Sequence, residues 1–236
     1  NVEIPITQDM IYKEGWLSKF KKEPNKEELI TSIKSNIDSY RSKMNELINK
    51  EFDFNEIDDI MKLSRLFCEI LFSIQNNDLQ INEYIDLDKE YDDFDKLFRS
   101  KLINDSTNNY EYLPNASQSD KPLTVNKIID FAKNKFEKKI ALIVMDGMAY
   151  DEWFILKEEL KDFKTFENEV FAIIPTVTAF SRTAIFSGKT PAEFMDNKLK
   201  PNEEKEFYKA MEEKGYRTND TLYGHLNLKH NILKTK

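Results

Sequence analysis

The sequence predicts an α/β core preceded by an all-helical region. Before residue 104, apolar residues recur at spacings of three and four along three long stretches, which is typical of amphipathic helices. After residue 123, two short apolar runs, residues 140–145 and 169–174, alternate with helical patterns. Strands that are buried on both faces read as continuous apolar runs, and their alternation with helices indicates parallel pairing in one sheet.

The helical region is predicted to form a domain over residues 1–103, with no strand of consequence before Ile140. The first stripe spans residues 29–48, with Asn25 as its N-cap, and the second spans residues 57–74. The third, residues 84–102, carries its apolar positions among many acidic residues. We expect the three helices to pack as a bundle or cap. The apolar positions of the third stripe are Tyr91, Phe94, Leu97 and Phe98.

Residues 104–122 are rich in Asn, Ser, Asp and Pro and lack periodicity, which predicts a linker. Residues 123–236 are then interpreted as the N-terminal part of the α/β domain. Thr124 is the predicted cap of its first helix, residues 125–138. The elements expected after it are strand 140–145, helix 151–161, strand 169–174, helix 178–187, helix 202–214 and a short strand at 216–218.

Composition narrows the class of protein. The 236 residues suffice for one large domain or two modest ones, and no apolar run is long enough to cross a bilayer. No secretory signal is visible, and the single cysteine, Cys68, fits a reducing cytoplasm. The net charge of −8 argues against broad nucleic-acid contact but leaves a local basic patch open. Because the first residue is Asn1, we expect a fragment or a processed form.

Two polar residues follow the apolar runs and are the candidate site. Asp146 comes directly after run 140–145, and Thr178 stands just beyond run 169–174, where a helix is predicted to begin. Ligands of open α/β sheets bind beyond the carboxyl ends of the strands. Each residue alone could be an ordinary helix cap. Together they place a candidate metal-binding carboxylate beside a hydroxyl, and the N-terminus of a helix stabilises the alkoxide form of such a hydroxyl. Gly147, next to Asp146, permits an unusual backbone angle.

The sequence around these residues resembles the PglZ branch of the alkaline phosphatase superfamily, and it is most similar to PglZ proteins of BREX phage-defence loci. The resemblance rests on IVMDGM at residues 143–148, YDEW at residues 150–153 and PTVTAFSRTAIFSG at residues 175–188. In the relatives, the second Thr of Pro-Thr-x-Thr attacks phosphorus and also contacts a metal, which implies both roles for Thr178. The strand-end Asp of the family binds the same metal, which implies a zinc ligand at Asp146.

The resemblance implies a cytoplasmic, zinc-dependent phosphohydrolase, acting on phosphodiesters or nucleotides more than on monoesters, in bacterial anti-phage defence. The alternative is a catalytically idle PglZ-like scaffold that holds partners inside a defence complex. We expect adjacent parallel strands at 140–145 and 169–174. The Asp146 carboxylate and the Thr178 hydroxyl should then lie roughly 3–5 Å apart, because each would be about 2 Å from a shared metal.

The family needs two metals, and the further Asp and His ligands are not evident in this sequence. The only histidines are His225 and His230, and neither directly follows an Asp. We therefore expect a truncated or split form that is inactive alone. Asn197 and Arg182 could contact a phosphate, although a solvent-facing role is the preferred interpretation of both. The sequence leaves open the substrate, the metal, the partners, the oligomeric state and whether any of these four residues joins the site.

Overall fold

The structure is a computed structural model that describes residues 26–51, 53, 56–103, 109–114, 121–136, 139–195, 201–227 and 232–235. The predicted N-cap Asn25, like the rest of residues 1–25, lies outside the described residues. The chain divides into two compact units. The helical unit contains the described parts of Pro24–Thr124 together with Ile143–Phe171, and the second unit contains those of Val125–Leu142 and Ala172–Lys236.

Helices dominate the described residues. They are, in chain order, α1 (Lys26–Asn49), α2 (Ile57–Asn76), α3 (Leu87–Leu102), α4 (Ile128–Lys135), α5 (Tyr150–Glu159), α6 (Thr178–Ser187), α7 (Pro191–Phe194) and α8 (Glu203–Glu213). Two short strands follow, β1 (Gly224–Asn227) and β2 (Ile232–Thr235). None of the described helices is long and apolar enough to span a membrane.

The three predicted amphipathic helices are confirmed as α1, α2 and α3, which pack their apolar stripes against one another in the helical unit. Tyr40 of α1 stacks on Phe67 of α2 with ring centroids 5.3 Å apart. The third helix begins at Leu87, because the Asp86 side chain accepts a hydrogen bond from the Lys89 backbone N–H. The core of this unit contains Ile33, Ile37, Tyr40, Met44, Leu47, Ile60, Leu63, Phe67, Ile70, Ile74, Ile85 and Leu97.

Parts of the predicted linker pack onto the helical unit. Leu113 is fully buried and clusters with apolar residues of α2 and α3. Lys121 is also buried, and its Nζ lies 2.6 Å from the Asp58 carboxylate. Thr124, the predicted helix cap, forms an isolated parallel bridge with Phe171, and a 3-10 turn at Val125–Lys127 precedes α4. The polar composition of residues 104–122 therefore concealed anchoring contacts at Leu113 and Lys121.

The predicted parallel sheet is not present in the described residues. Residues 140–145 form no strand and are largely exposed, with Ile143 at 80% exposure. In residues 169–174, pairing is confined to the bridge from Phe171 to Thr124, although Ile173 is buried. A buried strand needs a hydrogen-bonding partner along each edge. The two runs do not pair with each other. An apolar pattern alone was therefore not enough to predict two adjacent, hydrogen-bonded strands.

In the second unit, α6 packs against α8. Ile173, Ala184 and Phe194 form its buried core. The predicted helix 178–187 is confirmed without a shift of either end, and it stops where Gly188 adopts a φ of 73°, a left-handed conformation that glycine tolerates. Predicted helix 202–214 is α8, with Asn202 as its cap through a bond from the Lys205 N–H.

The carboxyl-terminal segment differs from its prediction. The strand expected at 216–218 is wrong, because Thr218–Asp220 forms a 3-10 turn. The strands lie further along the chain, where β1 and β2 pair antiparallel with His225 opposite Lys234. Helix α4 is shorter than predicted, and Phe136, which lies inside the predicted helix 125–138, is 51% exposed just beyond its end.

Candidate functional site

Asp146 lies in an exposed turn that joins the apolar run to α5. Gly147, predicted to permit an unusual backbone angle, has a φ of 76°. The N-cap position of α5 belongs to Ala149, whose N–H donates to the Glu152 carboxylate at 2.9 Å. Asp146 is thus three residues outside the cap position of the helix. The structure does not support the interpretation that Asp146 is simply the cap of α5.

Thr178 occupies the first position of α6, and its side chain is exposed. The N-cap is Val177, which has no polar atom in its side chain and provides no side-chain cap. The turn is held by the Val177 carbonyl, which accepts from the N–H groups of Phe180 and Ser181 at 2.9 and 3.0 Å. An α-helix leaves its first N–H groups without intrahelical partners and carries a partial positive charge at this end. The Thr178 hydroxyl is therefore placed where an anion is favoured.

The two candidates belong to different compact units. Asp146 is part of the helical unit, and Thr178 is part of the second unit. The predicted separation of their oxygens stays a prediction.

A zinc site normally has three or four protein ligands. Among the described residues, no group of three His, Cys, Asp or Glu side chains converges in a way that could hold a metal ion. Asp146 and Thr178 offer oxygen donors of a suitable kind, but two donors fall short of such a set. The two candidates therefore have donor atoms of a type that binds metal ions, but the described residues do not supply enough such donors for a site.

Four other residues were candidates for the site, namely Arg182, Asn197, His225 and His230. Asn197 and His230 lie outside the described residues. His225 is exposed on β1. Arg182 does not face solvent as expected, because its side chain is only 25% exposed and its Nε and Nη2 lie 2.8 and 2.7 Å from one carboxylate oxygen of Glu203.

Glu203 joins Arg182 to a third residue. The Tyr223 hydroxyl donates to the other oxygen of the Glu203 carboxylate. Burial, together with this bond to a carboxylate, raises the pKa of Tyr223 to about 12. The Tyr223 ring also packs edge-on against Phe186 with centroids 5.5 Å apart. Since Arg182 and Phe186 lie one and two turns beyond Thr178 on α6, this cluster fixes the helix that carries the candidate nucleophile.

A second charged cluster was not predicted from the sequence. Arg65 of α2 contacts three carboxylates, with Glu69 Oε1 at 2.9 Å, Glu167 Oε2 at 3.0 Å and Glu169 Oε1 at 2.8 Å. The bonds to Glu69 and Glu169 raise the pKa of the Arg65 guanidinium. Lys157 of α5 lies 2.7 Å from the other oxygen of Glu167.

The pKa of Glu167 reflects this cluster. Burial raises it, but the hydrogen bonds from Lys157 and Arg65 outweigh burial and lower the pKa overall. The only local sequence signal for the cluster is the spacing of Arg65 and Glu69. The partners at 167 and 169 are about a hundred residues away, so no periodicity could reveal them.

Comparison with known proteins gave one match. Residues 124–221 match a family model described as the BREX system PglZ alkaline phosphatase-like domain. The matched segment contains both Asp146 and Thr178 and extends beyond the motifs that carried the resemblance. No curated protein and no solved structure matched the chain.

Proposed function

From the PglZ domain that residues 124–221 carry, we propose that this chain belongs to a metal-dependent phosphohydrolase of bacterial phage defence, with phosphodiesters as its substrates. The observation that carries the proposal is the position of Thr178, an exposed hydroxyl at the first residue of α6 that is not the cap of the helix. The proposal places the protein in the cytoplasm, with other defence-complex proteins as its partners.

Thr178 has the role of nucleophile. Its Oγ1 loses its proton as it attacks phosphorus, and a bond from threonine oxygen to phosphorus forms. The bond to the leaving alcohol breaks as that alcohol takes up a proton in exchange. The intermediate keeps the second alcohol of the phosphodiester. Water then cleaves the bond between threonine oxygen and phosphorus, which releases a phosphate monoester and restores the hydroxyl. The N-terminal N–H groups of α6 stabilise negative charge on the phosphoryl oxygens through both steps. Arg182, paired with Glu203, holds the orientation of α6 one turn further along.

Metal dependence is part of the proposal. A bound divalent cation lowers the pKa of a hydroxyl and neutralises developing charge on a phosphoryl group. Asp146 is the candidate carboxylate ligand, and Gly147 allows the sharp turn that presents it at the end of the apolar run. Further ligands would have to come from residues that the structure does not describe or from another chain.

A scaffold without catalytic activity is the second candidate function. The observation in its favour is that the described residues bring no three potential ligands together. In this case the helical unit would be the surface that binds partners, and Thr178 would be dispensable.

Hydrolysis of bis-(p-nitrophenyl) phosphate by the full-length protein separates the two functions. We expect turnover that EDTA abolishes and zinc restores, because a chelator removes the cation on which the hydroxyl depends. The mono-ester p-nitrophenyl phosphate should be the poorer substrate. Absence of turnover with either ester, at any zinc concentration, together with retained partner binding would favour the scaffold.

A further inference from the structure

A small open cleft lies beside the Arg65 cluster, entirely within the helical unit. Its volume is about 230 Å³, which is enough for one planar heterocycle and smaller than a typical site for a drug-sized ligand. The aromatic side chain of Phe166 lies at the edge of the cleft and is 58% exposed. The residues that line the cleft are Arg65, Tyr150, Trp153, Phe166, Glu167, Asn168 and Glu169.

The charges in the cleft select against an ionic ligand. Glu167 and Glu169 would repel a phosphate or a carboxylate. They do not favour a cation either, because Arg65 contacts both and Lys157 contacts Glu167. The cleft therefore suits a neutral ligand.

The remaining groups suit a flat ligand with polar edges. Tyr150, Trp153 and Phe166 provide aromatic faces, and Asn168 provides an exposed amide that can donate and accept. Glu169 binds Arg65 through one of its oxygens, and a carboxylate has about four acceptor positions, so it can also accept from an amino group. Nucleobases combine a π face with exocyclic amino and carbonyl groups, and they stack on aromatic side chains.

We propose that this cleft binds one nucleobase, stacked on Trp153 and hydrogen-bonded by Asn168 and Glu169. Bases with an exocyclic amino group, which are adenine, cytosine and guanine, are preferred over uracil, because the amino group gives the Glu169 carboxylate a donor that uracil lacks. The base belongs to a nucleotide unit, and the ribose and phosphate extend out of the open side of the cleft.

The cleft lies close in the chain to the candidate metal ligand of the same unit. Tyr150 follows Asp146 by four residues, so their Cα atoms are at most about 14 Å apart. The inference also implies a substrate class, because the phosphodiester that is hydrolysed would be a nucleotide. This part of the inference rests on the proposed function. Base binding itself needs neither Thr178 nor a metal, so the two can fail independently.

Equilibrium dialysis of the full-length protein against nucleosides tests the proposal without any hydrolysis. Adenosine and cytidine are expected to bind more tightly than uridine, and ribose is expected not to bind. Trp153→Leu should weaken adenosine binding by about tenfold or more, whereas Trp153→Phe should retain most of it, because loss of a stacked aromatic removes the main contact. Asn168→Ala, a change at an exposed side chain that leaves the packing intact, should weaken binding about threefold or more.

The matched control is Phe163→Leu, an aromatic that is 68% exposed and does not line the cleft; it should leave the affinity unchanged. A comparison of adenosine with an oligo(dA) strand identifies the source of the base. Equal affinity per base indicates a mononucleotide ligand, and a large salt-dependent gain indicates a strand. Adenosine binding no tighter than ribose, or unchanged in both Trp153→Leu and Asn168→Ala, overturns the proposal. Base binding by a protein whose hydrolytic activity does not depend on Thr178 would contradict the proposed function and leave the base-binding site intact.

Discussion

Arg65 and Glu169 stand 104 positions apart in the sequence and form a hydrogen bond of 2.8 Å between Nη1 and Oε1. The bond joins α2 of the helical region to the segment that leads, nine residues later, to Thr178. Glu167 strengthens the same link, since it is contacted by both Arg65 and Lys157. The helical region and residues 143–171, which belong to the segment that matches the PglZ family model, are therefore one packed unit.

Replacement of Arg65 by Gln should lower the free energy of unfolding by about 1–3 kcal/mol. The side chain is 25% exposed and its two distant partners less than 20%, so solvent screens the cluster only partly. The measurement is urea unfolding of the purified protein followed by circular dichroism.

Arg99→Gln is the matched control for Arg65→Gln. Arg99 also pairs with a carboxylate four residues away, Asp95, but both side chains are more than half exposed. This variant should leave the free energy of unfolding essentially unchanged, because solvent screens an exposed pair. Equal effects of the two substitutions would show that Glu167 and Glu169 add nothing to the i,i+4 pair.

Replacement of isoleucine by alanine should lower the free energy of unfolding by very different amounts at two positions. Ile70→Ala, at a side chain that is 1% exposed in the helical core, should lower the free energy of unfolding by about 2–5 kcal/mol. Ile143→Ala, at 80% exposure, should change it by no more than about 0.5 kcal/mol. Thermal unfolding of both variants checks this. A large cost at Ile143 would restore the sequence-based interpretation of residues 140–145 as a buried strand.

These two isoleucines show how far the sequence could predict the fold. Helical periodicity predicted α1, α2 and α3, since a helix forms its backbone bonds locally and its apolar stripe identifies the buried face. Residues 140–145 failed as a strand, because a strand depends on partners that local pattern cannot specify. The hairpin of β1 and β2 was missed for a related reason. It is short, and its residues lack the two-residue alternation of a half-buried strand.

The sequence could name the two candidate residues, but it could not predict the ion pairs that surround them. Short motifs around Asp146 and Thr178 carried the resemblance to PglZ proteins, and residues 124–221 match that family model. The start of α6 was predicted at Thr178 itself. The partners of Arg182 and Arg65 were not predicted, because ion pairs between distant segments depend on the tertiary fold. The cleft that Trp153 lines was not predicted either, because residues from two distant segments of the chain form it.

Tyr223 should titrate at unusually high pH. Its pKa of about 12 lies above the ordinary value of 10.0, mainly through burial and then through the bond to Glu203. Because the folded-state pKa is the higher one, the neutral phenol stabilises the fold below about pH 10, and this contribution is lost as pH rises towards 12. NMR titration of the tyrosine ring carbons, assigned with Tyr223→Phe, measures the pKa. Glu203→Gln should lower it, and an unchanged value would disprove the contribution of Glu203.

Asp146→Asn should impair hydrolysis by weakening metal binding. An amide is a poorer ligand than a carboxylate, so the zinc concentration for half-maximal activity should rise about tenfold or more. Excess zinc should restore part of the activity. Asp162→Asn, an exposed carboxylate in the same unit, is the control and should leave the zinc requirement unchanged. An Asp146→Asn protein with the parent's zinc dependence would remove Asp146 from the metal site.

The most direct test of the central claim compares Thr178→Ala with Thr178→Ser in the full-length protein on bis-(p-nitrophenyl) phosphate with zinc. Thr178→Ala should abolish turnover, and Thr178→Ser should retain part of it, because serine keeps the attacking oxygen and loses only a methyl group. Thr176→Ala, at the neighbouring exposed threonine, should remain active. Full activity in Thr178→Ala, with an unchanged melting temperature, would contradict the assignment of Thr178 as the nucleophile.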